Sequence, residues 1–152
     1  FLGLYENYFT FLVFEDAKLK FFHGFKKGFS DLYFFKDIGN VAETLLSKSP
    51  KDISIHSIVL YELEVGIAKS NNPKKRKKQL EALTSRITVQ PFASREAEAA
   101  AMIRADLENQ GTPIGPYDTL ITGTALSLNA TLVTNNTREF QRVAGLSLED
   151  WF

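Results

Sequence analysis

The sequence predicts an α/β protein, because short apolar strands alternate with longer stretches of helical spacing. Asp52–Ile55 and Ala130–Thr134 are two such strands, and the residues between them read largely as helices. Chains with this alternation form a parallel sheet that helices cover on both faces. With 152 residues, the chain is long enough for one domain with a substantial core. We therefore expect residues 1–152 to form a single domain.

The regular part of the chain begins at about residue 40, and several helix starts carry recognisable signals. Ser57 and Ser94 are plausible N-caps, because a serine hydroxyl accepts a hydrogen bond from a free N–H of the first helical turn. Pro116 stands close to the first helical position, which proline favours. The predicted helices are Val41–Ser47, Ile58–Lys69, Lys74–Thr84, a helix from the Ser94 cap to about Asn109, and Tyr117–Leu128; the predicted strands are Asp52–Ile55, Ile87–Phe92 and Ala130–Thr134.

The first 40 residues differ in composition from the rest. Ten of the 13 phenylalanines of the chain lie in residues 1–35, and neither helical spacing nor alternation is clear there. Tyr8–Phe14 is the one segment that reads as a strand, since it is aromatic and β-branched. The N-terminal strand region is therefore atypical for the fold that the remainder predicts.

Composition narrows the function classes. The chain has no cysteine and only two histidines, which argues against disulfides, thiolate nucleophiles and zinc sites. The formal net charge is zero, so no overall field attracts nucleic acid or a membrane. No segment offers the roughly 18 unbroken apolar residues of a membrane helix, and no secretory signal is recognisable. These features predict a cytoplasmic protein without membrane contact.

The candidate chemistry lies in acidic and amide side chains. Asp118 stands in the first turn of a predicted helix, where the helix dipole favours a negative charge, so a merely structural acid is one reading. Glu62 and Glu64 lie on the Ile58–Lys69 helix, and periodicity does not choose between them. Asn136 and Glu139 follow the strand Ala130–Thr134, at an edge where α/β proteins place ligands. Such oxygen donors suit Mg²⁺ or Mn²⁺.

One run of positive charge and two aromatic residues have alternative readings. The basic run could be a solvated helix face or a surface that contacts RNA phosphates, with salt-dependent binding. We expect Tyr117 and Trp151 to pack rather than to stack on bases, and His56 to be structural. The basic run consists of Lys74, Lys75, Arg76, Lys77 and Lys78.

Two sequence segments carry a family resemblance. GTPIGPYD, which ends at Asp118, and LVTNNTREF, which contains Asn136 and Glu139, are similar to the VapC-type toxins of the PIN-domain ribonuclease family, over about residues 41–151. The resemblance implies a PIN-like three-layer α/β/α fold and a Mg²⁺- or Mn²⁺-dependent endoribonuclease that cleaves tRNA. It implies a VapB-type antitoxin as partner and a homodimer. By position, Glu62 and Asp118 match metal-binding acids, Glu139 a late acidic residue and Asn136 an aspartate site.

The N-terminal region departs from that family. The family's first strand ends in an Asp-Thr-Asn motif whose aspartate binds metal, and no such motif occurs in this sequence. Asp31 and Asp16 are the nearest substitutes. Either residues 1–40 are translated out of frame relative to an intact toxin gene, or the first strand has diverged.

Three functions follow from these observations. The chain is a ribonuclease toxin, or it is a catalytically impaired PIN module that still binds antitoxin or RNA. A nucleotide-binding α/β protein of another class is the third reading, and the sequence lacks the glycine-rich phosphate loops that such a protein needs.

Overall fold

A computed structural model describes residues 11–13, 43–44, 47–134 and 136–151. Its centre is a five-stranded sheet with the strand order β3-β2-β1-β4-β5. The strands are β1 (Phe11–Val13), β2 (Ile53–His56), β3 (Thr88–Gln90), β4 (Thr131–Val133) and β5 (Ser147–Glu149). The helices are α1 (Ser57–Ala68), α2 (Pro73–Thr84), α3 (Ser94–Asn109), α4 (Pro116–Ser127) and α5 (Thr137–Phe140).

Strand directions agree with the sequence prediction on both sides of the sheet and differ in its centre. β2 pairs with β3 in parallel, and β4 pairs with β5 in parallel. The central strand β1 runs antiparallel to both neighbours, with Leu12 opposite Ser54 and Leu132. The predicted short parallel sheet is thus two parallel pairs joined by an antiparallel strand, and this strand comes from the compositionally atypical region.

The strands β2 and β4, which flank the central strand β1, are the buried part of the sheet. All four residues of β2 and all three of β4 are buried, as expected for strands covered on both faces. Ile53, Ile55 and Leu132 are at most 1% exposed. Helices pack against the sheet through apolar side chains such as Val59 of α1 and Ile121 of α4. The predicted α/β class with layered helices is confirmed.

The contact between α3 and α4 depends on a glycine. A Cβ placed on Gly123 would lie 2.6 Å from the Cβ and 2.7 Å from the backbone N of Ala100. Real Cβ atoms do not approach this closely, so the two helices pack with their backbones nearly in contact. This close packing fixes the direction of α4, and α4 carries Asp118 in its first turn.

Two cap predictions were wrong by one residue. α1 begins at Ser57, and its cap is His56, whose Nδ1 accepts a hydrogen bond from the backbone N–H of Ile58 at 3.0 Å. α3 begins at Ser94, and the side chain of Glu96 reaches back to the N–H of the cap residue Ala93 at 3.0 Å. In both places another acceptor already satisfies the free backbone donor, so the serine occupies the first helical position instead.

Two short elements, α5 and β5, are absent from the prediction because three or four residues carry too little periodicity. Of the predicted helix Val41–Ser47, the described positions 43, 44 and 47 are helical, and its other residues lie outside the described ones. Of the predicted strand Tyr8–Phe14, the structure describes Phe11–Val13.

Candidate active site

Asp118 lies in the first turn of α4, and the backbone before it leaves room for its carboxylate. A Cβ on Gly115 would lie 2.9 Å from the Asp118 Oδ2 atom. Any side chain at this position would therefore push the carboxylate away. The approach through Gly115 and Pro116 thus sets the position of Asp118, and the sequence shows this only as a glycine ahead of the helix.

Glu139 on α5 is held beside this loop by two donors. Its Oε1 accepts the backbone N–H of Gly115 at 3.2 Å, and its Oε2 accepts the side-chain amide of Asn136 at 2.8 Å. The backbone N–H of Asn136 in turn donates to Thr134 Oγ1 at 3.1 Å, at the end of β4. Asn136 therefore orients Glu139 rather than facing the site by itself. The sequence prediction did not include the Gly115 N–H.

Glu62 on α1 belongs to the same electrostatic group. Burial, together with the negative charges of Glu139 and Glu62, raises the pKa of Asp118 to about 6. Burial also raises the pKa of the Glu62 carboxyl above its ordinary value. The structure thus brings together the three acids that the sequence singled out. It also separates Glu62 from Glu64, whose carboxylate pairs with Lys77 of α2.

The donor set of this group suits a hard divalent cation. In the described ranges, neither Glu62, Asp118 nor Glu139 forms a salt bridge, so no cationic side chain there offsets the negative charges that act on Asp118. Oxygen ligands of this kind are those that Mg²⁺ and Mn²⁺ prefer. As placed, the described side chains include no three acids or histidines close enough to enclose an ion. Asp16 and Asp31, the two substitute N-terminal ligands, lie outside the described residues.

The basic run lies on α2, which packs against α1. Lys74, Lys75, Lys77 and Lys78 are exposed and Arg76 is partly buried. Lys77 forms an ion pair with Glu64 of α1. The opposite side of α2 buries Leu80 and Leu83. The solvated-face reading and the phosphate-binding reading both remain compatible with this arrangement.

The threonine side chains of α4 form hydrogen bonds with the backbone of their own helix. The hydroxyls of Thr119, Thr122 and Thr124 donate to the carbonyls four residues before them, at 2.9, 2.6 and 3.1 Å. Threonine commonly makes this bond inside helices. These buried hydroxyls are therefore satisfied within the helix and do not indicate a ligand.

His56 is structural, as the sequence predicts. Its side chain is buried and its Nδ1 caps α1, so the ring proton resides on Nε2, which lies 2.8 Å from Thr124 Oγ1. Burial lowers the pKa of His56 to about 4, and the charge of Glu96 opposes this shift. The neutral ring thereby ties β2 and α1 to α4.

Of the two aromatic residues that were expected to pack, Trp151 does so and Tyr117 does not. Trp151 is buried, and its Nε1 donates to Glu149 at 2.7 Å, which confirms its packing role. Tyr117 is 44% exposed and stands edge-to-face with Tyr61, which is 52% exposed, with 6.0 Å between ring centroids. The packing prediction for Tyr117 was wrong, because its position at the first turn of α4 leaves the ring at the surface.

An open recess of about 620 Å³ lies between α3 and α4, beside Tyr117. Its walls include Phe92, Ala100 and Leu120, and none of the three site acids lines it. The recess is therefore a neighbour of the acidic group and not its binding cavity. No described helix is both long and apolar enough to cross a membrane.

Comparison with known proteins places this arrangement in a family. The PIN domain family model matches residues 29–146, and the chain therefore belongs to the PIN domain family. Within that family it is similar to VapC-type ribonucleases. It is 45% identical over 97 residues to the tRNA(fMet)-specific endonuclease VapC of Shigella flexneri, covering 64% of this chain and 74% of that protein.

Two proteins of Rickettsia felis extend the comparison. The ribonuclease VapC2 is 40% identical over 107 residues, covering 70% of this chain and 79% of the relative. The crystal structure of VapBC2 bound to a DNA fragment from its promoter superposes with a TM-score of 0.70 at 34% identity. The superposition covers 82% of this chain and 96% of that one. The PIN fold and the VapC-type resemblance predicted from the sequence are confirmed.

Proposed function

We propose that the protein is a Mg²⁺- or Mn²⁺-dependent endoribonuclease, the toxin of a toxin–antitoxin pair. The observation that carries this proposal is the group formed by Glu62, Asp118 and Glu139 at one edge of the sheet, which lacks a compensating cation among the described residues. A divalent ion bound to such carboxylates lowers the pKa of a bound water and offsets charge on the phosphate. The ribonuclease names of the relatives support the same reaction.

The chain's own residues have distinct roles in this proposal. Glu62 and Asp118 would hold the ion. Burial raises the pKa of both carboxyls, and at Asp118 the negative charges of Glu139 and Glu62 add to that effect, so a bound cation would favour both charged forms. Glu139 keeps a fixed orientation because the Gly115 N–H and the Asn136 amide each hold one of its oxygens. Asn136 is thus a positioning residue, and the charge of Glu139 acts on the Asp118 carboxylate.

The substrate and partners follow from the relatives. Since one relative is a tRNA(fMet)-specific endonuclease, we propose tRNA as the RNA that is cut, and therefore the cytoplasm as the place of action. The similarity to VapBC2 supports a VapB-type antitoxin as partner. We also propose that the toxin is a homodimer. Lys74, Lys75 and Lys78 of the basic helix would contact RNA phosphates, together with Arg76 and Lys77.

Cleavage of tRNA by the purified chain with Mg²⁺ or Mn²⁺ tests the function. We expect Asp118→Asn to abolish cleavage, while Asp106→Asn, a change at an exposed aspartate of α3, leaves it intact. Equal cleavage by wild type and Asp118→Asn would refute the role of Asp118. Weaker binding in raised salt, reduced further by Lys74→Ala and Lys78→Ala, would support the basic helix as a phosphate contact.

A catalytically impaired PIN module is the second candidate, and two observations favour it. The Asp-Thr-Asn motif is absent from the sequence, and the described acids do not by themselves enclose an ion. This candidate predicts no cleavage at any metal concentration, together with co-purification of a VapB-like partner. Any metal-dependent cleavage that Asp118→Asn abolishes would exclude it.

We further propose that residues 1–152 form one PIN-like domain whose first 40 residues are atypical. The two explanations, an out-of-frame segment and a diverged first strand, differ in the coding DNA. An Asp-Thr-Asn strand encoded in another frame of the first 40 codons would establish the former. Its absence from all three frames would establish the latter.

A further inference from the structure

Two exposed aromatic rings stand beside the acidic group. Three large hydrophobic side chains are more than 40% exposed in the described part of the chain: Tyr61, Tyr117 and Met102. Single exposed hydrophobic residues are normal on a protein surface. Tyr61 and Tyr117 differ from that background because they come from separate helices and still meet edge-to-face, with ring planes at 76°.

The position of the two rings follows from the position of the acids. Tyr61 immediately precedes Glu62 on α1, and Tyr117 immediately precedes Asp118 on α4. Successive side chains on a helix diverge by about 100°, so each ring flanks its carboxylate and does not cover it. The pKa of Tyr117 is raised, chiefly by the neighbouring Tyr61 side chain, and the charge of Glu62 adds to the effect. The rings and the acids therefore form one continuous surface.

We propose that Tyr61 and Tyr117 form a stacking platform for an unpaired nucleobase of the RNA substrate, next to the phosphate that the acidic group would cleave. This inference rests on the proposed ribonuclease function. An edge-to-face pair uses one face of only one ring, so further ring faces remain open to solvent. Base–aromatic stacking is a usual way of holding single-stranded RNA, and it tolerates different bases because every base has a π-face.

The platform has a consequence for the choice of substrate. Bases inside double-stranded RNA already stack on their neighbours, so only an unpaired base in a loop, bulge or free end can stack on the tyrosine rings. Tyr61 lies on α1, against which the basic helix α2 packs, so α2 would hold the backbone of the same strand.

Fluorescence of a single-stranded RNA that carries 2-aminopurine tests the proposal, since stacking on an aromatic ring quenches this base. The full chain with Asp118→Asn and Mg²⁺ serves as the background, so that the RNA is not cut. We expect Tyr61→Ala and Tyr117→Ala each to weaken affinity about tenfold and to reduce quenching. Tyr61→Phe and Tyr117→Phe keep the rings and should retain both, and Met102→Ala is the matched control at an exposed site.

Cleavage kinetics with Asp118 intact separate the platform from the reaction. The alanine variants should raise KM more than they lower kcat, and circular dichroism should show them folded. If the chain with Asp118 cuts RNA while the alanine variants leave affinity, quenching and KM unchanged, the platform is refuted and the ribonuclease function stands. If no chain binds or cuts RNA, both fail. If the alanine variants lose affinity for a VapB-type antitoxin but not for RNA, the surface docks protein and the proposal is overturned.

Discussion

Replacing Asp118 by asparagine should stabilise the protein at neutral pH in the absence of divalent metal. The pKa of this carboxyl rises from 3.8 to about 6 on folding, and one pKa unit corresponds to about 1.4 kcal/mol. The full shift would correspond to about 3 kcal/mol, which we halve because the side chain is partly exposed. We therefore expect the free energy of unfolding to increase by about 1.5 kcal/mol at pH 7.

The same substitution should also change how stability depends on pH, because it leaves the contribution of His56, which has the opposite sign to that of Asp118. The carboxyl of Asp118 favours the folded state below pH 3.8, and this contribution is lost as the pH rises to about 6. His56, whose pKa falls from 6.5 to about 4, favours the folded state above pH 6.5, and this contribution is lost as the pH falls to about 4. The two effects oppose each other in the wild type. In Asp118→Asn, stability should rise by up to about 3 kcal/mol from pH 4 to 6.5.

Urea unfolding in EDTA, followed through the fluorescence of Trp151, measures these differences. Trp151 is the single tryptophan and is buried, so its emission reports on loss of the fold. Asp106→Asn, at an exposed position of α3, is the matched control and should change stability little at any pH. An Asp118→Asn variant that is no more stable than wild type at pH 7, with the same pH profile, would refute the assigned charge repulsion.

Three further outcomes follow from the structure. Gly115→Ala should leave stability nearly unchanged and impair cleavage, because the new methyl group meets only the end of the Asp118 side chain. Gly123→Ala places its methyl group against backbone atoms of Ala100 and should lower the free energy of unfolding by about 1–3 kcal/mol in urea. A larger loss of stability for Gly115→Ala than for Gly123→Ala would contradict the packing. Thr124→Val leaves the buried Nε2–H of His56 without its acceptor and should lower the free energy of unfolding by about 1–3 kcal/mol. Thr124→Ser keeps the hydroxyl and should retain most of the stability. Equal losses of stability in the two variants would show that the hydroxyl is unimportant. Mg²⁺ at ten times its Kd should stabilise the wild type by about 1.4 kcal/mol in thermal unfolding and Asp118→Asn much less; equal stabilisation would place the ion elsewhere.

The fold class and most element positions could be predicted because they depend on local patterns. The start of α4 follows from Pro116, and the buried strands β2 and β4 follow from short apolar runs. The helix caps were predicted less accurately, since the cap residue depends on which acceptor reaches the free backbone N–H. At α1 this is the ring of His56, which is held from the other side by Thr124.

The acids of the site were recognisable by residue type and by family resemblance, but their relations were not. A contact between Gly115 and Glu139 spans 24 positions, and no periodicity of a single segment encodes it. The same holds for Tyr117, which reads as a packing residue in the sequence, whereas in the structure its ring meets that of Tyr61 from another helix at the surface.

The sequence by itself determined the alternation of strands and helices, the absence of cysteine chemistry and the oxygen-donor character of the segment from Gly111 to Phe140. These properties reside in local composition and spacing. Only the tertiary structure decided that Glu62, Asp118 and Glu139 share one electrostatic environment, that Asn136 orients Glu139, and that the central strand β1 is antiparallel. Pairing and charge coupling depend on distances across the fold, which the close packing of α4 on α3 and of the helices on the sheet sets.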